Sequence, residues 1–512
     1  VTTVPKLFTA ELDGIEASEI EVEADLNVGL HAFTIVGLAD KAVAESKERV
    51  NSALKHLGVR QPTRENRRIT VNLAPADIKK AGSHYDLAIA LAYLLASEQI
   101  KPFDPARKLF VGELSLDGTL RSVAGILNIA LFARERGFTE IFVPSENASE
   151  AAVVPEISAF PVSTLRDLVM HLDGTRTLTP QPRATLAPQF RAGSVAFVDI
   201  RGHDAAKRAL LVAAAGGHNV LLSGPPGTGK TMLAEAFAGI LPPPQEEEIL
   251  HVTRIWSAAG LTMKEPLVNA RPFRAPHHSA SAVAILGGGA NPKPGEVSLA
   301  HRGVLFLDEF PEFHRDVLEG LRQPLESGEI LVARAKKTLV FPARFTLIAA
   351  MNPCPCGYFE DPAHECRCSA AEVFRYQRKI SGPLLDRIDI QLEIPRIPTE
   401  ELHATRDHTR GNDEKIRARV LYAREFQKER FKKHERVLFS NSEMSSREAE
   451  QFITLDTEAD ALLKRALDRS LLSPRGYYRT LKVARTIADL DRSPQVRAPH
   501  IAEALQYRVK QE

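Results

Sequence analysis

The stretch Gly224-Pro225-Pro226-Gly227-Thr228-Gly229-Lys230-Thr231 decides how this chain is read. It follows the apolar run Val220-Leu221-Leu222 and opens the helical pattern Met232 to Ala238. A buried strand, a glycine-rich turn and a helix start form a phosphate cradle. Glycines let backbone N–H groups curl around an anion, and the helix N-terminus adds partial positive charge. Lys230 can then reach the β- and γ-phosphates, while the Thr231 hydroxyl holds Mg²⁺. The eight residues from Gly224 to Thr231 are thus assigned to binding a nucleoside triphosphate.

Working outward, Val304-Leu305-Phe306-Leu307-Asp308-Glu309 is a buried parallel strand whose carboxyl end delivers two acids. Asp308 is assigned to the Mg²⁺ shell, and Glu309 orients or deprotonates the attacking water. A third strand, Phe345 to Ala350, delivers Asn352, suited to polarise the water or touch the γ-phosphate. Arg387 follows a short loop in Ser381 to Asp389. On the residues alone two readings stand: a guanidinium that stabilises the phosphoryl transition state, or a salt bridge to Asp386 or Asp389.

Composition sets the limits. The chain has 512 residues, enough for two to four domains, and 66 Lys and Arg against 65 Asp and Glu. Near-balanced charge excludes a polybasic protein, so any nucleic-acid surface is a local patch. No run of 18 or more apolar residues predicts a membrane span, and no secretory signal is visible. All four cysteines fall between Cys354 and Cys368, which points to a local site in a reducing compartment and a cytoplasmic protein.

Residues 1–175 alternate short strands and helices. Leu38 to Leu57 reads as an amphipathic helix stopped by Gly58, Arg68 to Leu73 as a half-buried strand, and Asp86 to Leu95 as a buried helix. Lys108 to Leu114 and Thr119 to Arg121 flank the hairpin signal Asp117-Gly118. A helix from Gly125 to Arg136, stopped by Gly137, and the strand Ile141 to Val143 follow. Gly112-Glu113-Leu114-Ser115-Leu116-Asp117-Gly118 and Lys80-Ala81-Gly82-Ser83-His84-Tyr85-Asp86 resemble the Lon-type proteolytic fold. In that family a Ser nucleophile is activated by a desolvated Lys. Matched without gaps, the Ser position falls on His84 and the Lys position on Leu127, so peptidase activity is not expected. Ser83 and His84 read as surface loop residues. Residues 176–195, rich in Pro, Thr and Ala, read as a linker.

The order and spacing of Arg271 to Ser281, Gly287 to Gly289, Pro294 to His301, Asp308-Glu309 and Met351 to Gly357 resemble the magnesium-chelatase-like AAA+ ATPases, and most closely the ComM/YifB family. The resemblance covers essentially the whole chain. It implies an α/β fold: an AAA+ P-loop NTPase core over 196–396 with a helical lid over 397–512, preceded by a Lon-protease-like α+β domain. It also implies ATP and Mg²⁺ as cofactors and a homohexamer that migrates branched or partly single-stranded DNA in recombination during natural transformation. Arg387 then resembles a trans-acting arginine finger and Arg475 a second sensor arginine. A chelatase-type remodeller, acting on a protein or metal-insertion partner without DNA, is the alternative.

Two segments suit DNA contact. The insert between Arg271 and Gly303 carries a glycine-rich turn with Lys293, and the hairpin Gly328 to Phe341 has a basic tip at Arg334, Lys336 and Lys337. Contacts from such residues to phosphates would be independent of base sequence. His277-His278 reads as a polar turn or subunit contact. Cys354, Cys356, Cys366 and Cys368, within an insertion at 354–368, converge through the turn at Pro355 and Gly357 and suit Zn²⁺, which would brace the Asn352 loop. Glu414 to Arg436 reads as an exposed, charge-rich helix.

Overall fold

The computed structural model describes residues 4–508 except 63–66, 192, 194, 263–264, 290–291, 334–337, 398–410, 433 and 470–471. The chain divides into two compact units: residues 1–187 with 246–268 and 333–339, and residues 188–245, 269–332 and 340–512.

In the first unit, strands β1 (Lys6–Asp13), β2 (Glu16–Val28), β3 (Ala32–Val36), β4 (Arg67–Ala74) and β5 (Lys108–Phe110) join two later strands in one sheet. The hairpin β6 (Glu113–Leu114) and β7 (Leu120–Arg121) stands apart, and β8 (Glu140–Pro144) and β9 (Ser158–Val162) complete the seven-stranded order β3-β4-β2-β1-β5-β8-β9. The strand expected over Lys108 to Leu114 breaks after Phe110, where Gly112 packs against the Leu120 side chain. Gly58, Gly118 and Gly137 take the left-handed conformation their turns require. Helix Asp86–Ala96 is buried almost throughout. Its one charge, Asp86, is met by Arg49 Nε at 2.6 Å, Arg49 Nη2 at 3.0 Å and the Leu114 N–H at 3.1 Å.

The Ser83–His84 loop is half-buried rather than a surface loop. The Ser83 hydroxyl donates to Glu113, and His84 Nε2 lies 3.0 Å from the Ala10 carbonyl. Leu127 is fully buried. Burial lowers His84 to about 4, so its ring stays neutral at physiological pH.

Helix Glu246–Ala258 lies in sequence between the phosphate loop and Asp308, yet it belongs to the first unit. Its apolar positions recur at helical spacing, and Ile249 shares a core with Ile126, Ala130 and Ala133 of helix Ile126–Glu135. Polar pins fix the pair: Arg254 Nε donates to Asn128 Oδ1 at 3.0 Å, and Asn128 Nδ2 to the Arg254 carbonyl at 2.9 Å.

The second unit is built on a five-stranded sheet. Its strands are β10 (Val220–Ser223), β11 (Phe273–Arg274), β12 (Val304–Leu307), then, beyond the hairpin β13 (Glu329–Ala333) and β14 (Thr338–Pro342), β15 (Thr346–Met351) and β16 (Ile390–Glu393). The order is β11-β12-β15-β10-β16 and every pairing is parallel, so all carboxyl ends share one edge. β12 and β15 are wholly buried, in keeping with their unbroken apolar runs. Helices Gly411–Phe431, Ser446–Phe452, Thr457–Asp468, Pro474–Leu490 and Ala498–Gln506 form the C-terminal part. No helix among the described residues is long and apolar enough to cross a membrane.

The expected exposed helix after Glu414 is instead bound inward by its arginines. Arg424 Nη2 donates to the Ala214 carbonyl at 2.9 Å and Arg417 Nε to the Gly239 carbonyl at 2.9 Å, while buried Gln427 serves the Ala215 carbonyl at 2.9 Å. These carbonyls end helices Asp204–Gly216 and Lys230–Ile240, where backbone acceptors lack helical partners and the helix dipole is negative. The charges are helix-end partners, a role their spacing alone does not reveal.

Removing the Ile249 side chain leaves a cavity in the first unit at a cost of about 2–5 kcal/mol. Ile249→Ala should therefore speed amide hydrogen exchange in Ile126–Glu135 and leave exchange in β10, β12 and β15 as in the parent protein.

Candidate active site

The phosphate loop leaves the end of β10, and helix Lys230–Ile240 begins directly behind it. Gly229 at φ +83° and Gly227 at φ +78° set the turn. Gly224 is required for another reason: a Cβ there would lie 2.3 Å from the Ile394 carbonyl oxygen beyond β16. Lys230 is buried, and its Nζ donates to the Gly224 carbonyl at 2.6 Å, the Pro225 carbonyl at 2.9 Å and Asn352 Oδ1 at 3.2 Å. Those three acceptors match the three N–H donors of an ammonium. Burial lowers the Lys230 pKa to about 8, with Asp308 acting in the opposite direction.

Thr231 Oγ1 donates to Asp308 Oδ2 at 2.8 Å, so the two side chains assigned to magnesium meet. A hydroxyl and a carboxylate beside a phosphate loop are hard oxygen donors, the set Mg²⁺ takes. Glu309 follows with φ +52°, a left-handed backbone conformation uncommon outside glycine. Its Oε2 lies 2.9 Å from His278 Nδ1, and the His278 ring packs edge-on to Phe313. The sequence presents His277-His278 as a polar turn or subunit contact; the structure brings His278 against Glu309. The only signal in the sequence was a histidine pair, His277-His278, with no assigned chemistry. His203 Nε2 also reaches the Thr228 carbonyl at 3.0 Å, a contact that local sequence does not announce.

Arg387 and Arg475 lie elsewhere. Arg387 stands at the amino edge of the sheet, where its carbonyl accepts from Asn219 Nδ2 at 3.3 Å, one residue before β10 starts. Five residues of extended chain, about 16 Å, separate Asn219 from Gly224 at the other edge. Neither expected salt bridge of Arg387 forms: Asp389 is taken by Arg479 at 2.6 Å, and Asp386 lies 3.9 Å from Arg508. Arg387 is ion-paired with Glu326 instead, and Arg475 Nη2 lies 3.6 Å from the same carboxylate. The four residues assigned to catalysis thus form two groups, Glu309 and Asn352 at the phosphate loop, Arg387 and Arg475 around Glu326.

Of the residues assigned to DNA, Lys293 is exposed and pairs its backbone with Gly288 at the neck of the insert. The turn needs its glycines: Gly287, Gly288 and Gly289 all have positive φ, and a Cβ on Gly287 would lie 2.8 Å from the Lys293 carbonyl oxygen. Arg334, Lys336 and Lys337 lie outside the described residues.

The four cysteines are unbridged, with all four sulfurs within 4.8 Å of one another. Cys354 lies 3.4 Å from Cys356 and 3.8 Å from Cys366, and Cys356 lies 3.6 Å from Cys366. Zn–S bonds of about 2.3 Å in a tetrahedron put sulfurs about 3.8 Å apart, close to this spacing. Backbone N–H groups of Tyr358 and Arg367 lower Cys356 to about 6, favouring its thiolate.

Three family models match the chain: "Magnesium chelatase, subunit ChlI" over 196–402, "Subunit ChlI of Mg-chelatase" over 22–147 and "Magnesium chelatase, subunit ChlI C-terminal" over 411–508. The chain is 44% identical to Competence protein ComM of Haemophilus influenzae, over 97% of this chain and 95% of that protein. It is 42% identical to the uncharacterized protein YifB of Salmonella typhimurium over the same shares of each. The Magnesium-chelatase 67 kDa subunit of Chlorobaculum parvum is 31% identical over 31% of this chain and 23% of that protein.

Because Lys230 must be charged to meet a triphosphate, its lowered pKa sets a pH limit on binding. The ammonium is held below pH about 8 and lost above it. ATP affinity, measured by equilibrium titration, should fall about tenfold between pH 8 and pH 9.5 while the fold is retained.

Proposed function

We propose a function from one premise: the chain belongs to the ComM/YifB family of magnesium-chelatase-like AAA+ ATPases. It is an ATP-dependent hexameric motor that moves branched or partly single-stranded DNA in recombination during natural transformation. The observation that carries the assembly is the placement of Arg387 at the amino edge of the sheet, where its carbonyl accepts from Asn219 Nδ2 at 3.3 Å, while its own phosphate loop leaves the carboxyl end of β10. An arginine so placed serves the nucleotide of a neighbouring copy, and we assign Arg475, whose Nη2 lies 3.6 Å from the same Glu326 carboxylate, to that nucleotide too. The identity to a competence protein and the exposed Lys293 on a glycine-rich insert support DNA as the substrate.

Within one copy, the loop N–H groups and Lys230 hold the phosphates. Thr231 and Asp308 hold Mg²⁺, which neutralises phosphate charge when bound. Glu309 takes the proton of the attacking water, and Asn352 orients it. His278 holds the Glu309 carboxylate in place. Phosphoryl transfer then leaves ADP and phosphate, and the shift between these states drives the insert against the DNA backbone. Cys354, Cys356, Cys366 and Cys368 would hold Zn²⁺, whose thiolate bonds would tie the loop after Asn352.

The alternative, a remodeller acting without DNA, draws on the partial identity to a magnesium-chelatase subunit. A synthetic four-way junction separates the two. The parent protein should migrate it with ATP, and Glu309→Gln should bind ATP but turn it over about 10²–10⁴-fold more slowly and migrate nothing. ATP hydrolysis by the parent with no junction migration, under any salt condition, favours the remodeller. For the metal, elemental analysis of the purified protein should return one zinc per chain, and none for Cys354→Ser/Cys366→Ser.

A further inference from the structure

Glu326 joins two arginines that no local pattern in the sequence connects. It sits near the end of helix Arg322–Ser327, with its side chain 58% exposed. Arg387 donates to one of its oxygens, and Arg475 Nη2 lies 3.6 Å from the other. Arg387 also donates from Nη1 to the Pro383 carbonyl at 2.7 Å, and its side chain is only 6% exposed. Its Nε is buried without a partner, so the guanidinium is not saturated by its present contacts. Arg475, by contrast, is 57% exposed.

A carboxylate shared by two guanidinia is the arrangement that arginines adopt around a phosphate oxygen pair. Arg387 keeps the Glu326 carboxyl below its ordinary pKa, so the group stays anionic across the physiological range. One partner is buried and fixed, the other exposed and loosely held, and the anion between them faces solvent.

We infer that Glu326 is an intrachain latch, the resident anion of the Arg387–Arg475 pair, which the terminal phosphate of a neighbouring copy's nucleotide displaces. This rests on the reading that both arginines serve a neighbour's nucleotide. In the free chain the latch quenches their charge and limits non-productive association. On assembly the phosphate, with more charge and more acceptor oxygens, replaces the carboxylate, and Glu326 turns out to solvent. Completing the site therefore has a competitor built into the same chain, and ATP-dependent assembly is weaker than the arginines alone would make it.

The test uses the full-length chain. ATP turnover is measured against protein concentration for the parent, Glu326→Gln, Glu326→Asp and Arg387→Ala, with thermal unfolding of each. A partly exposed ion pair is worth a modest factor, so Glu326→Gln should lower the half-maximal protein concentration about two- to fivefold. Glu326→Asp, shorter by one methylene, should shift it the same way by less, and it carries the test should the Gln variant fail to fold. A purely structural role would lower the unfolding midpoint without moving the half-maximal concentration downward. A half-maximal concentration that is unchanged or raised in a folded Glu326 variant overturns the latch. Arg387→Ala separates the two layers. If that variant turns ATP over like the parent, the reading of the arginines has failed. If it is slow while the Glu326 variants assemble like the parent, the latch alone has failed.

Discussion

The register of β12, β15 and β10 is the constraint on which the site depends. Ser223 pairs with Met351 and Leu307 with Ala349, so Gly224, Asp308 and Asn352 emerge together at one sheet edge. The Gly224 N–H donates to the Met351 carbonyl at 3.2 Å, which extends the pairing into the phosphate loop. A slip of one residue would move each side chain about 3.3 Å and turn it to the opposite face. The contacts Thr231–Asp308 and Lys230–Asn352 could not survive it. Apolar burial alone does not fix register among three continuous hydrophobic strands, because each shifted alignment still buries apolar groups. Asn219 supplies the missing specificity. Its Oδ1 accepts from the Leu347 N–H at 2.8 Å, its carbonyl from Ile390 N–H at 3.0 Å, and its own N–H donates to Asp389 Oδ2 at 3.0 Å. One buried amide thus ties β15, β10 and β16 at the edge away from the nucleotide. Asp389 stays charged there: burial would raise its pKa, but Arg479 and His218 hold it below the usual carboxylate range.

What the sequence made legible was local. The phosphate loop, the strand that ends in Asp308-Glu309, the glycine stops at Gly58 and Gly137, and the buried helix after Asp86 each carry their signal within a few residues. Contacts set by packing across long separations were not legible. His278 meets Glu309 across 31 residues of chain numbering because β11 and β12 run parallel, so the segments that follow them leave the sheet at the same carboxyl edge. Arg417 and Arg424 looked like a solvated face, since nothing in a charge pattern says that a helix end lies opposite. Helix Glu246–Ala258 has an ordinary amphipathic pattern, which states that one face is buried and not against which unit.

The cysteine turn shows how a local motif gains meaning from its neighbours. Spacing indicated convergence of the thiols, and their sulfurs do converge. The further fact is steric. Gly357, at φ +86°, has its open side toward the phosphate loop, where a Cβ would come within 2.7 Å of Pro226 Cδ and 3.8 Å of Asn352 Cγ. Gln377 Nε2 holds the Pro353 carbonyl at 3.1 Å from the next helix. The turn is therefore one wall of the nucleotide loop, and disorder in it would reach Pro226 and Asn352 directly, with no intervening element to absorb the change.

The charged groups of the site have partners within the chain itself. Lys230 spends its three donors on two loop carbonyls and Asn352, Asp308 accepts from Thr231, and Glu309 faces His278. The arginines share Glu326. A ligand shifts such an arrangement only by the difference between its own contacts and those it replaces. The internal partners keep polar groups from being stranded in partly buried positions, where an unpaired charge is costly. They also mean that a weakly charged ligand gains little, because loop carbonyls and an amide already serve the ammonium well. A triphosphate differs in concentrating several negative oxygens within reach of both the loop N–H groups and Lys230. A polyphosphate therefore has more to gain at this loop than a single carboxylate or phosphate, through exchange of partners as much as through the shape of the loop.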